Sequence, residues 1–394
     1  MTSVATQPPI LRELAACLLD RVPELTDRLH EVLLAKDDTY RTTAAVTPAE
    51  LTRSLHDNLT RCTQFLADRV PPGVDFRDAA RHTARQRAQA GFPLESLLHA
   101  YRLGTEVLWA ALVEQARSRR PESIGELLDS AVLVLELIDT MSQTASAEYR
   151  VQETAAMRRS IERRQAMLDG LLDGRGADPE VAIEAGTLLE LPADGRFVVA
   201  VVRRDTASAA PPWPPRDALA VHGFRSEWCP RSDQDVGLVL LGDAPVERLT
   251  ARLRAVVDRP AGVSAEVAGL AEVASAFRMA QLASDTVPAQ QPQVVAFEER
   301  LPEVLLAANP AVAQQIRRRA FGALPSLAGD KQAVLVDTLR SWFRHDGSAA
   351  EVAAELHCHR NTVLHRIARI EQLTGRSVAD ERDGLLLRLA LLVP

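Results

Sequence analysis

Ser348-Ala-Ala-Glu-Val-Ala-Ala-Glu-Leu-His-Cys-His-Arg-Asn-Thr-Val-Leu-His-Arg-Ile-Ala-Arg-Ile-Glu-Gln-Leu-Thr-Gly375 reads as two short helices separated by a break of three or four residues. Ser348 and Glu351 have the spacing of a capping box, which opens the first helix. Ala349, Val352, Ala353 and Leu356 then form an apolar stripe, small enough in its alanines for a close helix crossing. His357, Cys358 and His359 make the turn, and histidine tolerates the left-handed backbone that a tight turn requires better than most residues. The second helix opens at Arg360-Asn361-Thr362, where free amides and positive charge favour a phosphate. Val363, Ile367, Ile370 and Leu373 face inward, and Gly375 is the stop. That leaves Arg360, Asn361, His365, Arg366 and Arg369 outside, with no acid between Glu355 and Glu371.

Arginine and asparagine are the side chains best shaped for base edges and phosphates, so the segment has the form of a helix-turn-helix with one helix turned to DNA. An ordinary helical hairpin with a solvated basic face would show the same pattern, and these residues alone do not separate the two. On the DNA reading, Arg360, Asn361 and Thr362 approach the groove with the helix N-terminus, next to His359. His365, Arg366 and Arg369 then touch base edges or phosphates.

A longer stretch narrows the choice. Leu339-Arg-Ser-Trp-Phe, Asp346-Gly-Ser, Ala353-Ala-Glu-Leu-His, His359-Arg-Asn-Thr-Val, Arg366-Ile-Ala-Arg-Ile-Glu-Gln-Leu-Thr-Gly and the closing Leu385-Leu-Leu-Arg-Leu-Ala-Leu together resemble the C-terminal domain of PucR/CdaR-type bacterial transcription regulators. The resemblance implies sequence-specific binding of double-stranded DNA as a dimer.

The 394 residues leave room for two or three domains. With 46% apolar and 25% charged residues the composition is that of a globular protein. A net charge of −7 means that any affinity for nucleic acid must be local rather than spread over the surface. Only Lys36 and Lys331 are lysines, an arginine bias expected of a GC-rich, actinobacterial-type genome. Cys17, Cys62, Cys229 and Cys358 have no paired spacing, so neither a disulfide nor a zinc site is expected. Adjacent residues rarely converge on one ion, which also sets aside His357-Cys358-His359 as a metal site. No apolar span reaches 18 residues, and a cytoplasmic protein without membrane contact is expected.

The expected architecture is multidomain and mainly α. Residues 1–146 read as a helical input domain, globin-like or a bundle. Its runs begin at Leu11, Leu14 and Leu18, continue through Leu25 and Leu29, and open again at Pro48 with Thr47 as cap. Helices are expected over Ala79–Ala90, Pro93–Ser118 and Ser123–Met141. Pro93-Leu-Glu-Ser-Leu-Leu-His-Ala-Tyr-Arg-Leu-Gly-Thr resembles the N-terminal sensor-like domain of actinobacterial PucR-type proteins, itself similar to the non-haem globin-like domain of RsbR stress-signalling proteins. His30, His56, His82 and His99 have no ligand spacing, so no haem or other cofactor is expected. His99 and Tyr101 read as interhelical hydrogen-bonding groups. A small-molecule effector is compatible with this domain, its identity unmarked in the sequence.

Residues 147–177 read as a linker helix, with Met157, Ile161, Leu168 and Leu171 in a seam that suits pairing across a dimer or packing on its own chain. Residues 178–300 alternate between strand and helix. Phe197–Val202 and Val236–Leu241 are continuous apolar runs, Gly262–Val267 is a weaker strand, and helices span Val246–Val257 and Leu270–Ala283. A Pro-rich run at 210–215 reads as a rigid exposed loop. This block resembles the degenerate GGDEF-like domain of the same regulators through Gly262-Val-Ser, Gly269-Leu-Ala-Glu-Val-Ala-Ser-Ala-Phe-Arg and Val295-Ala-Phe-Glu. An active nucleotidyl cyclase would need paired glycines beside metal-binding acids, whereas the hairpin here is Ser232-Asp-Gln-Asp-Val-Gly237, so the site reads as lost. Residues 301–330 are expected to form a helical connector and 331–394 the helix-turn-helix domain. No phosphate-binding glycine loop or nucleophile elbow is present, so an enzyme is not expected. The functional alternatives are a partner-binding stress-signalling scaffold and a diverged cyclase.

Overall fold

The computed structural model describes residues 7–204 and 215–393. Residues 210–214 of the Pro-rich run lie outside that range. The chain divides into two compact units, Met1–Ile161 and Glu162–Pro394.

The first unit is wholly helical among its described residues. Helices α1 (Pro9–Leu18), α2 (Val22–Lys36), the short α3 (Asp38–Thr42) and α4 (Pro48–Leu66) precede α5 (Asp78–Gln89), α6 (Leu94–Arg119) and α7 (Ile124–Asp129). Helix α8 (Ala131–Leu172) follows and runs through the division between the units. Thr47 caps α4 as expected, in a full capping box. Its amide and hydroxyl donate to Glu50 at 3.0 and 2.8 Å, and the Glu50 amide donates to Thr47 Oγ1 at 3.3 Å. The core is the leucine stripes of α1, α2, α4 and α6, with Leu11, Leu18, Leu33, Leu66 and Leu112 fully buried. His99 Nδ1 lies 3.1 Å from Asp37 Oδ2, and the Tyr101 hydroxyl donates to Asn58 Oδ1 at 3.1 Å, the interhelical bonds expected of them.

Two expectations for this region are corrected. Ser123–Met141 is not one helix but breaks at Ser130, whose hydroxyl donates to the Glu126 carbonyl. Helix α8 is continuous through 146/147, and the division between the two units falls within it after Ile161. Nor is the seam of the expected linker helix uniform. Met157 and Ile161 are 67% and 46% exposed, whereas Leu168 and Leu171 are 1% exposed.

The second unit begins with that buried end of α8. It continues through α9 (Pro179–Leu189), β1 (Asp194–Arg203), α10 (Pro215–Ala220), the hairpin β2 (Arg225–Arg231) and β3 (Gln234–Leu240), and α11 (Val246–Val256). Strands β4 (Ala261–Val263) and β5 (Val267–Gly269), α12 (Val273–Asp285) and β6 (Val294–Ala296) complete a sheet of order β2-β3-β1-β4-β6, with β5 on the early part of β1. All pairs are antiparallel except β4 with β6.

Strand β1 explains its own unbroken apolar sequence, since it feeds a core on each face. Phe197, Val199 and Val201 meet α9, α12 and the end of α8, while Val198, Ala200 and Val202 meet α10 and α11. Gly262 lets β4 lie against α12: a Cβ there would collide with the Ala280 carbonyl and the Ser284 amide. Strand β2 escaped the sequence reading because it is a polar edge strand, which also lets it carry Pro230 without losing a ladder bond inside the sheet. The expected third strand is in fact two, β4 and β5, and β6 is too short to have a pattern. Polar contacts also hold the end of α8 here. Arg164 pairs with Glu227 and donates to the Leu188 carbonyl at 3.0 Å, and Arg231 pairs with Asp169 and Asp173, each at 2.9 Å.

Helices α13 (Leu301–Ala307) and α14 (Pro310–Phe321) follow. The expected connector over 301–330 is corrected in part. Ala320, Phe321 and Leu324 are buried within the same core as the C-terminal helices, so the end of α14 belongs to that domain by packing.

Candidate nucleic-acid interface

Beside the end of α14, four helices complete the C-terminal core: α15 (Gly329–Arg344), α16 (Ala349–Glu355), α17 (Arg360–Thr374) and α18 (Glu381–Leu392). Leu339, Val352, Val363, Ile370 and Leu387 are fully buried between them. The α15–α16 turn places Asp346 at φ +47° and Gly347 at φ +83°. Ser348 caps α16 by accepting from the Glu351 amide at 3.5 Å. The reciprocal half of the expected capping box is not made. The Ser348 amide donates instead to the His345 carbonyl at 2.9 Å, and the Glu351 carboxylate lies 3.2 Å from His345 Nδ1.

Glu355 ties α16 to α15. Its carboxylate accepts from the Ser341 hydroxyl at 2.6 Å, meets His345 Nε2 at 2.7 Å, and pairs with Arg344. The Ser341 hydroxyl and then His345 hold its carboxyl below the ordinary carboxylate range. Glu371 is likewise turned away from α17's outer face, accepting from the Val378 amide at 2.9 Å and the Ser377 hydroxyl at 3.1 Å. The two acids nearest the basic helix are therefore held in structural contacts.

The turn between α16 and α17 has the expected left-handed residue, His357 at φ +48°. His359 is the N-cap of α17, its Nδ1 accepting from the Asn361 amide at 3.2 Å. This uses one ring nitrogen and leaves an exposed ring at the helix start. Helix α17 ends at Gly375, φ +66°, as its sequence indicated.

Among the expected contact residues, His359, Arg360, Asn361, Thr362, His365 and Arg369 are exposed. Residues four apart share a helix face, so two rows form: Arg360, Leu364 and Ala368, then Asn361, His365 and Arg369. Arg366 is the exception. It is half-buried, and its Nη1 donates to Thr338 Oγ1 of α15 at 3.3 Å. Arg369 Nη1 donates to Gln372 Oε1 at 2.6 Å along its own helix. The residue overlooked by sequence reasoning is Leu364, 43% exposed in the middle of the basic face. Its spacing of four from Arg360 was the available signal.

In the α/β part, Asp235 is buried and paired with Arg204 rather than open to a metal, and no group of three or more potential metal ligands occurs among the described residues. Among those residues, too, no helix is long and apolar enough to cross a membrane.

A small helical core that presents a second helix with a basic outer face free of carboxylates defines a helix-turn-helix domain, here carried at the end of a multidomain, mainly α chain. Residues 335–393 match the family model of the PucR C-terminal helix-turn-helix domain, and residues 23–164 match that of the RsbT co-antagonist protein rsbRD N-terminal domain. The C-terminal domain is therefore similar to that of PucR-type proteins, and the N-terminal unit to the rsbRD type.

It is similar to the carbohydrate diacid regulator of Escherichia coli (strain K12), 40% identical over 62 residues, 16% of each chain. It is 39% identical over 70 residues to the purine catabolism regulatory protein of Bacillus subtilis (strain 168), 17% of this chain and 13% of that one. It is 36% identical over 73 residues to the transcriptional activator PmfR of Paenarthrobacter nicotinovorans, 18% of this chain and 14% of that one. Each likeness spans less than a fifth of the relative's length, so it bears on one domain rather than the whole. These three relatives carry the names of regulators.

Proposed function

We propose that this protein is a cytoplasmic transcription regulator that binds specific double-stranded DNA as a homodimer through α17. The observation that carries the proposal is the outer face of that helix, two exposed rows with three cationic or imidazole side chains and no carboxylate. On this reading the N-terminus of α17 enters the major groove. Arg360 and Asn361 read base edges or hold phosphates, His359 and Thr362 lie at the phosphate edge, and His365 and Arg369 extend the contact along the groove. Leu364, between them, suits a thymine methyl group.

The helical unit up to about residue 161 serves as input domain, the α/β part as a degenerate GGDEF-like spacer, and α14–α18 as output domain. Helix α8 supplies both the link and the dimer contact. Its exposed apolar residues Val132, Leu135, Val151, Met157 and Ile161 support pairing, and its buried end fixes it to the α/β core.

Genome-wide mapping of DNA fragments retained by the purified protein tests the proposal. Recurrent retained sites, lost in Arg360→Ala, are expected, and uniform retention of unrelated fragments would overturn sequence-specific binding. The rsbRD-type match over 23–164 favours a second reading, a partner-binding scaffold, which would gain if no fragment is retained and the N-terminal unit captures a protein partner.

A further inference from the structure

We infer that the interior of the N-terminal helical unit is a binding site for a small aliphatic monocarboxylate, with Arg87 as its counter-ion. The inference rests on reading that unit as the input domain, and it names the class of ligand.

A cavity of about 40 Å³ lies between α2, α4, α5 and α6. Its walls are mostly leucine, among them Leu29, Leu55 and Leu108. Arg87 also lines it, on α5, and is only 3% exposed. Its Nη2 donates to Ser54 Oγ at 3.0 Å, and its Nε has no hydrogen-bond partner. Among the described residues no carboxylate lies within ion-pair distance of it. The ring of Phe92 lies 5.8 Å from its Cζ, the Tyr40 hydroxyl is hydrogen-bonded to it, and Glu50 senses its charge without pairing with it.

A guanidinium stays charged in proteins, and a buried charge without a partner is among the costlier features a fold can carry. The neighbouring polar groups relieve it only in part: Ser54 and the Tyr40 hydroxyl are hydrogen-bonded to it, while its Nε stays unpartnered. Asn58 Nδ2 is committed to the Ser54 carbonyl and Thr83 Oγ1, both at 2.8 Å, and Asn58 Oδ1 accepts from Tyr101. The Ser54 hydroxyl donates to the Leu51 carbonyl at 2.8 Å. Burial pushes the Tyr40 phenol up to about 12, with Arg87 pulling the other way, so at neutral pH it remains an O–H donor on the same wall.

A carboxylate answers both the unused Nε donor and the missing negative charge, in the bidentate geometry arginine favours. The leucine walls then select an apolar remainder. At roughly 10–15 Å³ per water-sized position, the cavity takes a ligand of about four heavy atoms, the size of acetate or propionate.

The test is thermal unfolding of the full chain with sodium acetate or propionate, against acetamide, propionamide and sodium chloride at matched ionic strength. The carboxylates are expected to raise the first unfolding midpoint by about 2–4 °C at saturation, and the amides and chloride to leave it in place. Arg87→Met should abolish that response. It should also raise the ligand-free midpoint, because an orphaned charge is replaced by a chain of similar volume. Should Arg87→Met not fold, Leu108→Phe fills the cavity from another wall with the arginine intact and should abolish the response as well. Equal shifts from carboxylate and amide or chloride, no shift at all, or a carboxylate response retained in Arg87→Met or Leu108→Phe would each overturn the inference. The readout is binding alone, so a protein that responds to carboxylate yet retains no DNA sinks the regulatory reading and leaves this one standing.

Discussion

The Arg366 guanidinium turns back from the recognition helix to Thr338 Oγ1 of α15, 3.3 Å away. One of the three arginines of that helix thus braces it against its support, while Arg360 and Arg369 remain on the open face. Removing Arg360 should cost about 1–3 kcal/mol of specific DNA binding if it reads a base. If it holds a phosphate instead, removal should lower the salt slope by about one. Arg366→Ala should cost less affinity than Arg360→Ala and lower the thermal midpoint of the C-terminal unit. Mobility-shift titrations at matched salt beside calorimetry check both. An Arg366→Ala protein of unchanged stability and the weaker binder of the two would refute the bracing role.

His357 holds the left-handed conformation at the hinge of the two helices, at φ +48°, which costs a non-glycine residue about 1–2 kcal/mol. His357→Gly should therefore stabilise the C-terminal unit, raising its midpoint by about 2–4 °C per kcal/mol relieved, and His357→Val should lower it. Scanning calorimetry of the two variants decides the sign.

Helix α8 changes character along its length, and substitutions should follow the change. Leu168, buried against the α/β core, should cost about 2–5 kcal/mol when truncated to alanine. Met157→Glu and Ile161→Glu, on exposed positions, should leave unfolding unaltered and convert dimer to monomer in sedimentation equilibrium. A sedimentation profile indifferent to both glutamates would exclude that face as the dimer contact.

Asp37 joins α2 and α3 to α6. Burial alone would raise its carboxyl, but His99, the Thr39 amide and hydroxyl and the Ser96 hydroxyl together lower it. A carboxylate depressed in the folded state contributes stability above its unfolded value of about 3.9, and that contribution is lost as pH falls through the lower folded value. Asp37→Asn should thus lower the midpoint of the N-terminal unit at pH 7, and the gap from the parent protein should close below about pH 4. A gap constant from pH 7 to pH 3 would contradict this.

Much of the molecule could be read locally. The α4 capping box, the stop at Gly375 and the inward face of α17 follow from periods and caps that depend on neighbours a few residues away. So does β1, because burial on both faces leaves an unbroken apolar run. Reading failed where a partner distant in sequence decides. Strand β2 is polar because it is an edge, Arg366 is inward because Thr338 waits for it, and Leu364 is outward although its neighbours are core. The reciprocal cap at Ser348 failed for a local reason, its amide being taken by the His345 carbonyl three residues earlier.

The sequence by itself therefore determined the element types, the turn at His357 and the basic composition of the last helices, since propensity, capping and periodicity are local physics. Only the tertiary structure decided which arginines stay free to bind and that the division between the two units falls within one unbroken helix, after Ile161. It alone exposed the unpartnered Nε of Arg87, a buried guanidinium without an ion-paired carboxylate, inside an apolar bundle. Charge pairing and burial are set by residues far apart in the chain, and no local pattern records them.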